Sequence, residues 1–361
     1  MTKISVITIH YIYNYGSALQ SYALCKFLGN YKYDVKLIDY RPNYERGIIR
    51  RLKTLLVKIV FMPQYVLRAQ RYREFLKSNI KMSEKRYHSL SQLCENPPAA
   101  DIYISGSDQL WNSFFPCGRD EAYKLCFVRS GTKMSYATSL GRNGIAKADL
   151  IELAEQIKSF QFISVREKSG QVQLRSVGIE GVEHVCDPVM LLEKEAYISL
   201  AVTPRYEKYL LLYSVHRDAE IFNVANRIAK GKGLKTVLIG DFAILGKCDA
   251  IFKSAGPREF IGLVMNADYI VTNSFHCPAF SLMFNKNFTV MIPKVNASRV
   301  INLLHVAGLE QRLITNKSDH IDLEPIDYTS VNSRLEMYVN HSRDVLLSEV
   351  HRFVKENTEL D

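Results

Sequence analysis

Short apolar runs alternate with longer helix-like stretches along almost the whole chain, and few folds admit that alternation. In the first half "ISVITIH" (Ile4–His10), "DVKLIDY", "DIYISGS", "KMSYATS", "FISV" and "VEHVCD" read as strands. A second series follows with "KYLLLYSV" (Lys208–Val215), "KTVLIG", "DYIVTN" and "FTVMI", and its helices start at Asp218, after Pro257 and at His276. Apolar strands separated by helices call for parallel sheets covered by helices. Two successive series predict an α/β protein of two Rossmann-like domains facing each other across a cleft. The expected divisions are an N-terminal domain over 1–190, a C-terminal domain over 205–330 and a helical segment over 331–361, with residues 192–208 as linker. Ligands of such sheets bind beyond the carboxyl ends of the strands. Nearly every polar cluster of this sequence falls at such an end.

Composition narrows the class. The 361 residues are 47% hydrophobic and 23% charged, an ordinary soluble balance. The opening "MTKISVITIH" lacks the basic head and unbroken apolar stretch of a signal peptide and reads as a first strand. No run is long enough to span a bilayer. The seven cysteines are odd in number and show no C-x-x-C spacing. They fit reduced thiols in a cytoplasm, with neither a disulfide framework nor a zinc site.

The net charge of +10 is local. Between Arg46 and Arg86 stand twelve basic residues against Glu74 and Glu84. Within 48–61, Arg50, Arg51, Lys53 and Lys58 share one side of a helical wheel, and Ile48, Leu52, Leu55, Leu56, Ile59 and Val60 share the other. This is the pattern of an amphipathic basic helix at a membrane surface, and equally of a packed helix with a solvated face. Nucleic acid is the weaker partner, because no binding motif is present.

Four clusters carry candidate chemistry. In "HYIYNYGSALQSYAL", a loop with Asn14, Tyr15 and Gly16 enters a helix whose free N–H groups suit an anion or a sugar hydroxyl. A tight strand–helix turn accounts for the glycine equally well. In "ISGSDQLWN", Ser107, Asp108, Gln109 and Trp111 suit carbohydrate, with polar groups for hydroxyls and an indole face for a ring. The plainer reading makes Asp108 a helix cap. In "ISVREKSG", Arg166 offers a fork for phosphate or carboxylate, or else a surface ion pair. In "ADYIVTNSFHCPAF", His276 opens a helix after a strand, where it serves either packing or acid–base chemistry.

Taken in order, "NYGSALQSYAL", "GSDQLWN", "SYATSLG", "SVREKSG", "CDPVMLL" and "GPREFIGLVMNADYIVTNSFHCPAFSLMFNKNF" resemble the polysaccharide pyruvyl transferase family, from residue 14 to about 288. The resemblance implies a GT-B-like fold, phosphoenolpyruvate as donor and no cofactor or metal. The acceptor it implies is a sugar of a bacterial surface-polysaccharide precursor (capsule or exopolysaccharide), and the product is a cyclic pyruvate ketal. It implies His276 and Arg166 as catalytic residues. On the mechanism expected from this, Arg166, Ser274, Phe275, His276 and Arg258 take the donor, and Asn14, Tyr15, Gly16, Ser107, Asp108, Gln109 and Trp111 line the acceptor side. One position departs: other branches carry arginine where this chain has Ser274, and Arg258, Lys286 and Arg299 are the candidate replacements. The implied acceptor is a lipid-linked oligosaccharide at the cytoplasmic face of the membrane. The basic face would then add about 1 kcal/mol per well-placed Lys or Arg toward anionic lipid. Two other classes stay open. One is a GT-B glycosyltransferase using a nucleotide sugar, with Asp241 as ribose ligand. The other is a non-catalytic carbohydrate-binding relative.

Overall fold

The structure, a computed structural model, describes all residues except 45–61, 216–217, 241–245, 294, 317 and 360–361. The amphipathic basic stretch over 48–61 and Asp241 lie outside the described residues. The chain divides into two compact units. Of the described residues, those within 1–44, 77–192 and 335–359 form the first, and those within 62–76 and 193–334 the second.

The first unit holds β1 (Lys3–Ile7), β2 (Asp34–Tyr40), β3 (Met82–Tyr87), β4 (Ile102–Ser105) and β5 (Thr132–Ser135), all parallel, in the order β3-β2-β1-β4-β5. A two-stranded pair, β6 (Ser164–Val165) and β7 (Glu183–His184), extends it through single bridges from Met134 to Phe162 and from Thr138 to Val165. The strand order reverses between β1 and β4. The helix Tyr15–Gly29 leaves β1 at that point, and thirteen of its fifteen residues are buried. This is the apolar helix that the sequence led to expect after the Asn14–Gly16 loop.

The second unit holds β8 (Tyr209–Tyr213), β9 (Lys235–Ile239), β10 (Ala250–Phe252), β11 (Tyr269–Thr272), β12 (Phe288–Met291) and β13 (Leu313–Ile314), in the order β10-β9-β8-β11-β12-β13. All pairings are parallel, and "YLLLY" of β8 is buried at every position. Such a run needs cover on both faces. The helix Glu220–Lys232 ends on Gly233 at φ +65, the left-handed cap that glycine accepts without strain. Here the order reverses between β8 and β11. Both units thus have the Rossmann arrangement, with its ligand crevice at the reversal.

Two boundaries differ from the sequence reading. The first part of the helix Met62–Asn79 belongs to the second unit, where Arg71 donates to the Ser254 carbonyl at 2.8 Å and pairs with Glu259 at 3.1 Å. The helix Tyr328–Glu359 is no separate segment, because from Leu335 onward it belongs to the first unit. Ser342 Oγ accepts from the Cys186 N–H at 2.9 Å, and Arg343 Nε donates to the Leu191 carbonyl at 2.9 Å. Strands β3, β10 and β13 were not legible. "MSEKRY" of β3 is a charged edge strand, and edge strands bury too little for an apolar signal.

Candidate functional site

In the first unit the loops after β1 and β4 are tied together where the strand order reverses. Thr8 Oγ1 donates to the Ser107 carbonyl at 2.7 Å, and Gln20 Nε2 donates to Thr8 Oγ1 at 2.9 Å. Ser17 Oγ donates to Asp108 Oδ2 at 2.6 Å. Asp108 itself sits at φ +86, a left-handed conformation unusual outside glycine and characteristic of functional turns. From the end of β6, Arg166 donates to Ser107 Oγ at 3.3 Å and to the Asp187 carboxylate, and its Nη2 lies 4.0 Å from Asp108 Oδ1. The next residue, Glu167, accepts from Ser139 Oγ at 2.8 Å and from the Gly141 N–H at 2.9 Å. Five stretches far apart in sequence therefore share one buried polar network.

That network changes the reading of two residues. Arg166 is 2% exposed and committed to Asp187, so it lies beneath the site and not on its surface. Burial works against its charge, but Asp187, Asp108 and Glu167 outweigh burial and hold its pKa above the ordinary arginine value. Trp111 is 1% exposed, packs edge-on against Phe160 and points its indole N–H at the Tyr123 carbonyl. It is a core residue, and its ring offers no sugar platform.

The exposed aromatics of this loop come just after it. Phe114 is 55% exposed, and the Arg142 guanidinium lies 3.7 Å over its ring. The support beneath is built. Asn112 accepts from the Phe114 N–H at 3.2 Å and donates to Gln109 Oε1 at 2.8 Å. Gly141, at φ +79, lets this amide pair approach, since a Cβ there would lie 2.4 Å from Asn112 Nδ2. The Phe114–Arg142 pair carried no motif in the sequence. The Asn14 side chain caps the helix at Ser17 N, Tyr15 and Gly16 are buried in its first turn, and Asp108 Oδ1 accepts from the Gln109 N–H.

In the second unit the loop after β11 carries Asn273, Ser274, Phe275 and His276. Asn273 ties β11 to β8 across the reversal, accepting from the Val215 N–H at 2.8 Å and donating to Ser214 Oγ at 2.9 Å. Ser274 Oγ accepts from the Cys277 N–H at 3.1 Å, which ties it to the first turn of the helix His276–Met283. His276 is the first residue of that helix, with its ring edge-on to Phe275 at 5.0 Å.

Of the three candidate replacement cations, only one comes to this loop. Arg299, in the first turn of the helix Ser298–Ala307 after β12, stacks on Phe275 at 5.6 Å. Lys286 precedes β12 and so lies at the amino edge of the sheet. Arg258 follows the edge strand β10 and donates to the Leu200 carbonyl at 2.8 Å. Among the described residues, no group of three His, Cys, Asp or Glu side chains is placed to hold a metal. No helix among them is long and apolar enough to cross a membrane.

The polysaccharide pyruvyl transferase profile matches residues 14–294, well over half of the chain. The chain belongs to the polysaccharide pyruvyl transferase family. Its motifs are the stretches whose side chains form the buried network and the His276 loop. No curated protein matches the sequence. Among solved structures, the chain is similar to a UDP-GlcNAc 2-epimerase of Methanocaldococcus jannaschii in complex with UDP-GlcNAc and UDP. The identity is 12%, with 97% of this chain and 99% of that one covered and a TM-score of 0.54. It is also similar to the UDP-N-acetylglucosamine 2-epimerase of Rickettsia bellii, at 12% identity, 100% and 98% coverage and a TM-score of 0.53. These likenesses show the fold, a GT-B-like pair of Rossmann-like units.

Proposed function

We propose that this family member moves the pyruvyl group of phosphoenolpyruvate onto two hydroxyls of one sugar in a surface-polysaccharide precursor. The observation that carries the reading is His276 at the carboxyl edge of β11 with the Arg299 cation beside its neighbour Phe275. C3 of the donor gains a proton, and the cationic C2 is captured by the first hydroxyl, which loses its own proton. Phosphate then leaves as the second hydroxyl attacks, and that hydroxyl's proton departs with it. One diol and one phosphoenolpyruvate give one ketal and one inorganic phosphate.

His276 is the acid–base group, since this proton traffic needs a side chain that can both give and take a proton, and it stands at the carboxyl edge of β11. Arg299 and the N–H groups at the start of the helix His276–Met283 take the donor's anionic groups. Ser274, which accepts from the Cys277 N–H and carries no charge, leaves the cation role to Arg299. Phe114 and Arg142 serve the acceptor ring. Arg166 is a positioning residue that holds the Ser107–Asp108 turn. The acceptor is proposed to be lipid-linked, at the cytoplasmic face of the membrane.

The test incubates purified protein with phosphoenolpyruvate and candidate oligosaccharides. Phosphate release coupled to ketal formation by mass spectrometry is expected for wild type, falling about 10²-fold or more in His276→Ala. Near-normal turnover in a folded His276→Ala variant sinks the assignment.

A further inference from the structure

A second concentration of positive charge sits at the other side of the first sheet's carboxyl edge. Asp39, at the end of β2, is buried and receives three donors. His10 Nε2 approaches its Oδ1 at 3.1 Å, Arg41 Nε donates to Oδ1 at 2.5 Å, and Arg86 Nε donates to Oδ2 at 2.8 Å. The backbone fixes all three. Asp39 and Arg86 are register partners on β2 and β3, and the Arg41 N–H donates to the Tyr87 carbonyl at 2.8 Å. His10 is sealed, its other ring nitrogen 3.1 Å from the Thr8 carbonyl.

One arginine would neutralise Asp39; the second is excess charge. Each guanidinium spends only its Nε on the protein among the described residues. An arginine carries four further N–H donors on its two Nη atoms. The side chains of Arg41 and Arg86 are 33% and 52% exposed, so these ends face solvent. A carboxylate gripping the Nε side holds each fork in place, and pre-ordered forks lower the entropic cost of gripping an oxyanion. Nothing in the proposed pyruvyl transfer uses this cluster.

We propose that Arg41 and Arg86 form a phosphate-binding site at the carboxyl edge of β2 and β3, taking a phosphate or diphosphate ester. Two forks on adjacent strands match the several oxygens of such a group better than a single carboxylate. The ester is supplied either by a soluble sugar or nucleotide phosphate or by a lipid-carried phosphate.

Calorimetric titration of the full chain with inorganic pyrophosphate tests the site. Saturable binding is expected, weakened about tenfold in Arg41→Gln and in Arg86→Gln, and retained in Arg299→Met. Arg86→Lys keeps the charge without the fork and should fall between. Flotation with phosphatidylcholine vesicles, with and without phosphatidic acid, separates the sources. Capture lost in the same variants assigns a lipid-carried phosphate, and pyrophosphate binding without capture assigns a soluble ester. The proposal is overturned if wild type shows no saturable binding, or if the arginine variants bind as tightly as wild type. Should a glutamine variant fail to fold, the Arg86→Lys titration decides, since pyrophosphate held at Arg299 would bind that variant as tightly as wild type. Loss of turnover in His276→Ala bears only on the transferase reading.

Discussion

Arg166 and Asp187 form an ion pair whose side chains are 2% and 0% exposed. It ties the end of β6 to the turn Pro188–Met190, whose first N–H groups Asp187 also caps through Val189 at 3.1 Å. A charge so enclosed is tolerable only with its partner. Removing one member leaves the other desolvated and unmatched, which typically costs about 3–5 kcal/mol. Arg166→Met is therefore expected to lower the urea midpoint sharply, and Arg166→Met with Asp187→Leu to recover part of the loss. A single variant as stable as wild type would show that the pair does not bear on folding.

The cation at Arg299 should matter to the donor in a way that Arg258 does not. Replacing Arg299 by methionine removes a charged donor and is expected to weaken phosphoenolpyruvate binding by about 2 kcal/mol. Arg258→Met, beyond the edge strand, should leave the affinity unchanged. Calorimetry on both variants decides, and equal effects would remove Arg299 from the site.

Two aromatic residues three positions apart should respond in opposite ways. Trp111→Ala opens a cavity in the core of the first unit and should cost about 3–5 kcal/mol of stability. Phe114→Ala, more than half exposed, should leave the thermal midpoint nearly unchanged while raising the KM for the acceptor. A Phe114→Ala variant with wild-type acceptor kinetics would take the ring out of the acceptor surface.

Acid should loosen the docking of the C-terminal helix. His184 on β7 lies 3.1 Å from the Tyr338 hydroxyl, and burial pushes its pKa down to about 4. Between the unfolded value near 6.5 and about 4, the unfolded chain binds a proton that the folded chain refuses. Stability is full above that window and falls as pH drops through it. Chemical denaturation at pH 7 and pH 4.5 should show the loss, and His184→Gln should flatten it. An unchanged slope in His184→Gln would assign the acid sensitivity to other groups.

Periodicity in the sequence was enough to determine the two α/β series, the parallel strands with buried faces, and the motifs at strand ends. Those features depend on local burial, which the apolar pattern records directly. "DVKLIDY" is a strand from its first residue to its last for this reason. The sequence also marked Arg166 and His276 as residues in unusual places. Which groups they meet was decided by the tertiary structure. The partner of Arg166 stands twenty-one residues further on, and both meet Ser107 because β4, β5 and β6 lie side by side. Trp111 reads as a ligand platform only while its burial is unknown, and Phe114 gains interest only once Arg142 is seen above it. The return of the helix Tyr328–Glu359 to the first unit joins residues more than 150 positions apart, as in the hydrogen bond from Cys186 to Ser342, and buries Leu346, Val350 and Phe353. No local pattern encodes such a pairing. Burial is a property of a residue and its near neighbours, whereas pairing depends on the order of strands in the sheet.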